Sequence, residues 1–302
     1  MLIPRIVGFG FLISLTTACG GEPPTGVPRE VPPIGRRSTF DRPAEVAGPQ
    51  IHAIYMIPAD GIDLGYDTTG AVEQSVGFFQ YWLAVRTGMM LRADTYQGRL
   101  DISFFKSNRS AASNAGFGTQ LLNRLLFELR SAGFNDPSTK YLIYYDGSNP
   151  LTCGNAIQGG AAAAVYLRGS VDGKPCGGGF SLRNGRAADY WEFAMLHEVI
   201  HTLGMVDDAA PNHDEGRPWH VYDGADLMHG GGAAWTPTLI DRNNDDYYGL
   251  AVPAGVRNLM NDPILVSAPD QVIAPAKSRD TAVALPAFVH HVLPAGSLEL
   301  PR

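Results

Sequence analysis

Apolar side chains follow two different spacings between residues 51 and 204, and each spacing predicts a different kind of element. Largely apolar runs at 51–57, 141–145 and 162–167 are typical of buried strands. Residues 100–105 alternate apolar and polar side chains, as expected of a strand with one face in the core. This part of the chain is therefore predicted to contribute strands to a buried sheet.

Other stretches repeat apolar residues every three or four positions, which predicts amphipathic helices. The first helix ends at Gly88 and has its apolar stripe at Val72, Val76, Phe79 and Leu83. The second is marked by leucines at positions 121, 122, 125, 126 and 129. A third ends at Gly204, because glycine commonly terminates a helix.

Strands and helices alternate along most of this region, which indicates an α/β (α+β) domain with helices packed on a sheet. Beyond Gly204 the sequence predicts a loop-rich C-terminal part. One more short helix is expected at Pro237, because Thr236 can cap a helix and proline suits its first turn.

The composition bears on whether the protein binds nucleic acid. The chain has 302 residues, and its net charge of −7 is spread without long basic or acidic runs. A nucleic-acid-binding protein is expected to carry a basic patch, so we expect no nucleic-acid partner. The 35 glycines and 22 prolines predict long loops around a compact centre.

The first residues resemble an export signal. Arg5 supplies a positive charge, and the apolar stretch at 6–15 is too short to span a bilayer in the mature protein. Residues 16–19 resemble a bacterial lipobox in which Cys19 would be lipidated. We expect a lipoprotein-type signal peptide at 1–19, with plain secretion as the alternative, and membrane contact only through Cys19.

The remaining boundaries follow from proline content. Residues 20–49 contain seven prolines and are predicted to be a tether. The folded domain is expected at 50–267, as a monomer, and the Pro/Ala-rich residues 268–302 form a tail. Cys153 and Cys176 remain as an even pair in an exported chain, which predicts a disulfide between them.

The third predicted helix contains the sequence His-Glu-Val-Ile-His at 197–201. Residues four apart lie on one helix face, so His197 and His201 can bind the same metal ion. Glu198 lies beside that ion, where it can take a proton from a water held there. Two imidazoles and a third protein ligand suit catalytic zinc. Zinc is therefore the expected cofactor, with Glu198 as the catalytic base.

The residues after this motif distinguish between classes of zinc enzyme. One class takes its third ligand from a glutamate on a later helix, but the only glutamate between His201 and Glu299 is Glu215, which is too close to His201. That class is disfavoured. Instead, Gly204 can end the helix and let the chain turn back beneath the metal.

The residues 197–204 and the later Asp226-Leu227-Met228 resemble the metzincin clan of zinc peptidases. The clan's signature is His-Glu-x-x-His-x-x-Gly and, later in the chain, a turn that holds a methionine under the metal, here Met228. The resemblance implies a mixed twisted sheet with an active-site helix, a cleft below the edge strand, and hydrolysis of peptide bonds.

The third ligand of the clan is a histidine three residues after the glycine, but this sequence has Asp207 there. Three candidates remain: Asp207, His213 and His220. A long insertion precedes the third histidine in leishmanolysin-like members, and His220 lies eight residues before Met228 in a comparable run. His220 is our prediction.

The leading hypothesis is an extracytoplasmic zinc endopeptidase acting on a protein or peptide. The alternative is a non-catalytic, zinc-containing surface binding or adhesion lipoprotein, which would have no need of Glu198. The alternate acidic and amide residues at 241, 243 and 245 are interpreted as a solvated helix surface rather than a calcium loop. Tyr247 and Tyr248 are expected in the core.

Overall fold

The computed structural model describes residues 37–179, 182 and 187–269. The predicted signal peptide with Cys19, tether residues 20–36 and tail residues 270–302 lie outside the described residues. Within the described part of the chain, no helix has the length and apolar character needed to cross a bilayer.

The described residues form both strands and helices. The strands are β1 (Gln50–Ile57), β2 (Met89–Leu91), β3 (Thr95–Tyr96), β4 (Arg99–Leu100), β5 (Ile102–Lys106), β6 (Thr139–Tyr145), β7 (Gly154–Ala156), β8 (Ala162–Tyr166), β9 (Ser170–Val171), β10 (Lys174–Pro175) and β11 (Leu265–Ser267). The α-helices are α1 (Ala71–Thr87), α2 (Ala111–Ala115), α3 (Leu121–Ser131) and α4 (Tyr190–Thr202), and short 3₁₀ turns lie at Gly118–Gln120, Cys176–Gly179 and Leu259–Asn261.

The central sheet has five strands in the order β5-β1-β6-β8-β7. The first four run parallel, and β7 pairs antiparallel with β8 at one edge. Helices lie in the connections from β1 to β5 and from β5 to β6, whereas the connection from β6 to β8 contains β7. The predicted α/β class and its mixed sheet are confirmed.

Alternate residues of β1 point to opposite faces of the sheet and join different cores. Ile51 and Tyr55 pack in the larger core, which includes side chains of α1 and α4. Ile54 and Met56 pack in the smaller core with the leucines of α3. The domain therefore has three layers, with the sheet in the middle.

Residues 37–49 correct the predicted tether, because they pack on the domain. Ser38 forms a parallel bridge with Ser103 of β5, whose other edge pairs with β1. Arg37 forms an ion pair with Asp67, and Arg42 forms one with Asp101. An edge strand presents unpaired backbone groups, and this segment covers them.

Two predictions for the part after Gly204 are wrong. No helix forms at Pro237, because the chain there is extended alongside the turn at 226–228, and Leu227 N–H donates to Leu239 O at 3.0 Å. Asp241 is not on a solvated helix but is buried, at 2% exposure. Its carboxylate accepts hydrogen bonds from the backbone N–H groups of residues 245, 246, 247 and 248.

Candidate metal centre

Helix α4 brings His197 and His201 together on one face. Asp189 caps its first turn and forms a reciprocal capping box with Glu192, which fixes where the helix begins. The helix ends before Gly204, which has a φ of 73°. The Nε2 atoms of the two histidines are 3.0 Å apart, because residues at i and i+4 are neighbours on a helix.

His220 completes the group from the irregular segment after the helix. Its Nε2 lies 3.2 Å from Nε2 of His197 and 3.3 Å from Nε2 of His201. A tetrahedral zinc ion bound to nitrogens at about 2.0–2.1 Å requires nitrogen separations of about 3.3–3.4 Å. The observed triangle is within a few tenths of an ångström of that requirement, so the three nitrogens fit a single ion.

The other ring nitrogen of each histidine faces an oxygen. Nδ1 of His197 lies 2.7 Å from Leu227 O, Nδ1 of His220 lies 2.8 Å from Pro218 O, and Nδ1 of His201 lies 3.1 Å from Gln158 Oε1. An oxygen that accepts the Nδ1 proton leaves Nε2 as the lone-pair donor. All three imidazoles are therefore oriented as metal ligands.

Burial favours the neutral form of these imidazoles. It lowers the pKa of His197 to about 3, and it lowers the pKa of His201 well below the ordinary value. The pKa of His220 is also lowered by burial. A protonated imidazole cannot bind a metal, so all three are in the competent form at neutral pH.

The two other candidates for third ligand lie elsewhere. Among the described residues, the ligand atoms of His197, His201 and His220 lie within 4.8 Å of one another, and neither Asp207 nor His213 belongs to this group. Asp207 is exposed and its carboxylate accepts the backbone N–H of Ala209. His213 directs Nδ1 to the carbonyl of Ala210.

The predicted methionine turn lies next to this group. Met228 is fully buried, and its carbonyl accepts the N–H of Val221, the residue after His220. Since Leu227 O also faces His197, the turn contacts one histidine directly and adjoins another through the backbone. Asp226 supports the turn, because its Oδ1 accepts the N–H of Met228 at 2.7 Å.

A buried network connects this turn to residues 241–248. The hydroxyl of Tyr247 donates to Asp226 Oδ1 at 2.8 Å, and the backbone N–H of Tyr247 donates to Asp241 Oδ2 at 2.7 Å. Tyr247 is fully buried, as predicted, whereas Tyr248 is partly buried. Burial raises the pKa of Asp226 to about 7. The loop side of the centre is thus held by polar contacts inside the core.

Glu198 lies between the helical histidines in sequence and contributes to the wall of a cavity of about 300 Å³. Burial raises its pKa to about 8. A cation held by the histidines would favour the carboxylate and oppose that shift. The carboxyl group therefore has the surroundings of an acid–base catalyst whose pKa is near neutrality.

The same cavity contains the histidine group and opens between α4, β7 and the loop after Met228. Its aromatic wall includes Trp235, whose ring centroid is 5.6 Å from that of His197. Other lining residues are Asn155, Ala156, Gln158, Val171, Tyr190, Trp219 and the glycines at 230, 231 and 232. An open cleft with polar groups at one point and apolar walls is typical of a substrate site.

The predicted disulfide between Cys153 and Cys176 is present. Cys153 lines the cavity and directly precedes β7, and Cys176 begins a 3₁₀ turn. The bridge therefore fixes the end of the edge strand beside the histidine group.

Sequence reasoning missed Gln158 and Tyr247 as supporting residues. Gln158 contacts His201 across 43 positions of sequence, and no local spacing signals such a contact. For Tyr247, the predicted core location was the available signal.

No protein-family model matches the chain, and no curated protein matches it significantly. Among solved structures, it is similar to an archaemetzincin from Methanopyrus kandleri, with 15% identity, coverage of 60% of this chain and 83% of that chain, and a TM-score of 0.34. It is also similar to catalytically inactive OgpA from Akkermansia muciniphila, solved with an O-glycopeptide substrate, with 15% identity, coverage of 68% and 60%, and a TM-score of 0.38. Likenesses this distant assign no activity, so the functional assignment rests on the residues of the site.

Proposed function

We propose that the chain is an exported zinc-dependent endopeptidase. The observation that carries the proposal is the convergence of three imidazole Nε2 atoms within 3.3 Å of one another, in the cavity that Glu198 also lines. A purely structural zinc site is closed by four protein ligands, whereas three ligands at an open cleft leave one position for a reactant.

The donor set favours zinc over magnesium and calcium. Three neutral imidazoles with fixed Nδ1 partners suit zinc, and magnesium or calcium would require oxygen ligands. When bound, zinc would lower the pKa of a water and polarise the carbonyl of the peptide bond. The residues proposed to hold it are His197, His201 and His220.

Glu198 is the proposed acid–base catalyst. Its carboxylate takes a proton from the attacking water and then delivers that proton to the leaving amine. Burial raises the pKa of Glu198, and a cation held by the histidines would lower it again, so the group can be a carboxylate at neutral pH and can still take up and release a proton. The cleft of about 300 Å³ is lined on one side by β7.

Export is proposed from the sequence and from the disulfide. Disulfides persist in oxidising compartments, so the Cys153–Cys176 bridge supports an extracytoplasmic location. Lipidation of Cys19 would place the domain at a membrane surface. Changing Cys19→Ala should release the protein from the membrane fraction, and unchanged fractionation would count against the anchor.

The test of the activity is Glu198→Ala, with the exposed Glu215→Ala as the matched control. We expect Glu198→Ala to retain one zinc per chain and the thermal stability of a folded protein, and to lose at least about a thousandfold in casein hydrolysis. Glu215→Ala should hydrolyse casein like the parent. If Glu198→Ala retains the parent's rate, or if the zinc-loaded parent hydrolyses no peptide, a non-catalytic zinc protein is the better account.

A further inference from the structure

Gly154 is the first residue of the edge strand β7, and it lies against the side chain of Glu198. We infer that Gly154 is a positioning residue for Glu198, because the absence of a side chain at 154 leaves the space that the Glu198 carboxyl group occupies. The catalytic part of this inference rests on the proposed peptidase function.

The distances define the conflict that any other residue would create. A Cβ added at Gly154 would lie 2.6 Å from Oε1, 2.9 Å from Cγ and 3.1 Å from Cδ of Glu198. Carbon atoms without a bond between them rest at about 3.5–4.0 Å. A Cβ atom essentially never lies within 3.0 Å of a heavy atom from another part of the chain, so the side chain of Glu198 would have to move. The φ of Gly154 is outside the left-handed region. Glycine is therefore needed here for space and not for its backbone freedom.

The strand is held where it is by its pairing with β8 and by contacts of the residues just before it. Residues 154–156 pair in register with Val165, Ala164 and Ala163 of β8. The hydroxyl of Thr152 donates to the carbonyl of Gly154. Cys153, the preceding residue, is fixed by its disulfide. Because these contacts restrain β7, a methyl group added at position 154 would displace the side chain of Glu198 and not the strand.

Helix α4 cannot absorb the conflict either, because it carries His197 and His201 on both sides of Glu198 in sequence. The helix packs against β8 and β7. The displacement is therefore expected in the side-chain torsions of Glu198, which turn its carboxyl group away from β7. Such a change would impair catalysis and leave metal binding by the two histidines intact.

The test is Gly154→Ala, with Gly224→Ala as the matched control, because a Cβ at Gly224 meets no atom within 4 Å and its φ is ordinary. We expect Gly154→Ala to bind one zinc per chain, to keep KM within about twofold and to lower kcat by about a hundredfold, as a misplacement of about 1 Å can do. Gly224→Ala should match the parent in kcat. An unchanged kcat in Gly154→Ala would overturn the inference.

A second readout does not depend on catalysis. In a double-mutant cycle on thermal stability, Gly154→Ala should lower Tm in the parent and lower it much less in the Glu198→Ala background, where Oε1, Cγ and Cδ are absent. Equal losses in both backgrounds would show that the two residues do not conflict, and would overturn the inference. Coupled Tm values in a zinc-loaded parent without peptidase activity would instead confirm the contact and refute the proposed function.

Discussion

The two sides of the candidate metal centre are built in different ways. The helical side consists of α4 with His197 and His201, which a regular backbone places one turn apart. The loop side, residues 203–248, supplies His220 and the turn at Met228 without any regular helix or strand in this described range. Its geometry depends on buried side chains that accept backbone hydrogen bonds.

This difference predicts which side of the metal centre is more sensitive to single substitutions. Thirteen residues of α4 share the task of holding two histidines, and the helix packs on the sheet. On the loop side, Asp241 alone accepts four backbone N–H groups, and Asp226 accepts the N–H of Met228 and the hydroxyl of Tyr247. Single polar substitutions should therefore disturb the loop side more than the helical side.

The largest expected effect comes from removing the loop ligand. His220→Ala should lower zinc affinity by several orders of magnitude, because two ligands remain of three. His213→Ala and Asp207→Ala should change it by less than about threefold, because neither side chain lies in the histidine group. Competitive zinc titration with a chromogenic chelator measures all three variants.

If His220→Ala binds zinc like the parent while His213→Ala does not, the loop must rearrange around the metal and His213 is the ligand.

A smaller effect is expected from the carboxylates that hold each side. Asp241→Asn should lower the free energy of unfolding by about 2–3 kcal/mol, because an amide nitrogen replaces one of the oxygens that face backbone N–H groups. Asparagine tolerates the positive φ of 44° at this position, so the backbone itself remains allowed. Asp189→Ala, which removes the cap of α4, should cost about 1 kcal/mol.

Urea denaturation of the zinc-loaded proteins compares the two variants. An equal or larger loss in Asp189→Ala would contradict the view that the loop side is the more sensitive one.

The last expected effect is in the pH dependence of stability. Burial raises the pKa of Asp226 on the loop side and of Glu192 on the helical side, each to about 7. Each folded pKa exceeds the unfolded value, so the native state binds more protons between about pH 4 and pH 7. The contribution of each carboxyl group to stability is present at low pH and is lost as the pH rises to 7.

Asp226→Asn and Glu192→Gln should each reduce the decrease in stability between about pH 4 and pH 7, by an amount on the order of 1–2 kcal/mol. The free-energy difference between variant and parent, measured from pH 4.5 to 8, isolates the contribution of each group. A difference that does not vary with pH would show that the group titrates normally in the native state.

The same contrast explains which features the sequence predicted. The spacing of His197 and His201 and the break at Gly204 are local signals, and a helix converts them directly into geometry. The position of His220 depends on contacts of Asp226 and Tyr247 across 21 positions, so three third-ligand candidates remained from the sequence.

The two predictions that are wrong after Gly204 both fall on the loop side, and for the same reason. Pro237 comes after a good capping residue, yet its segment pairs with the turn at 226–228 instead of forming a helix. Asp241 belongs to a charged run typical of a surface, but it is buried because four backbone N–H groups need an acceptor there. Neither of these tertiary contacts can be predicted from the local composition of the sequence.

In the proposed centre, three imidazoles from both sides bind one zinc ion and leave a position open. X-ray absorption spectroscopy at the zinc edge of the purified protein measures these ligands. We predict three nitrogen ligands at about 2.0–2.1 Å with imidazole scattering and one further light-atom ligand from solvent. The spectrum of His220→Ala should show one imidazole ligand fewer. A parent spectrum with two imidazoles, with sulfur ligands, or with four imidazoles would contradict this arrangement.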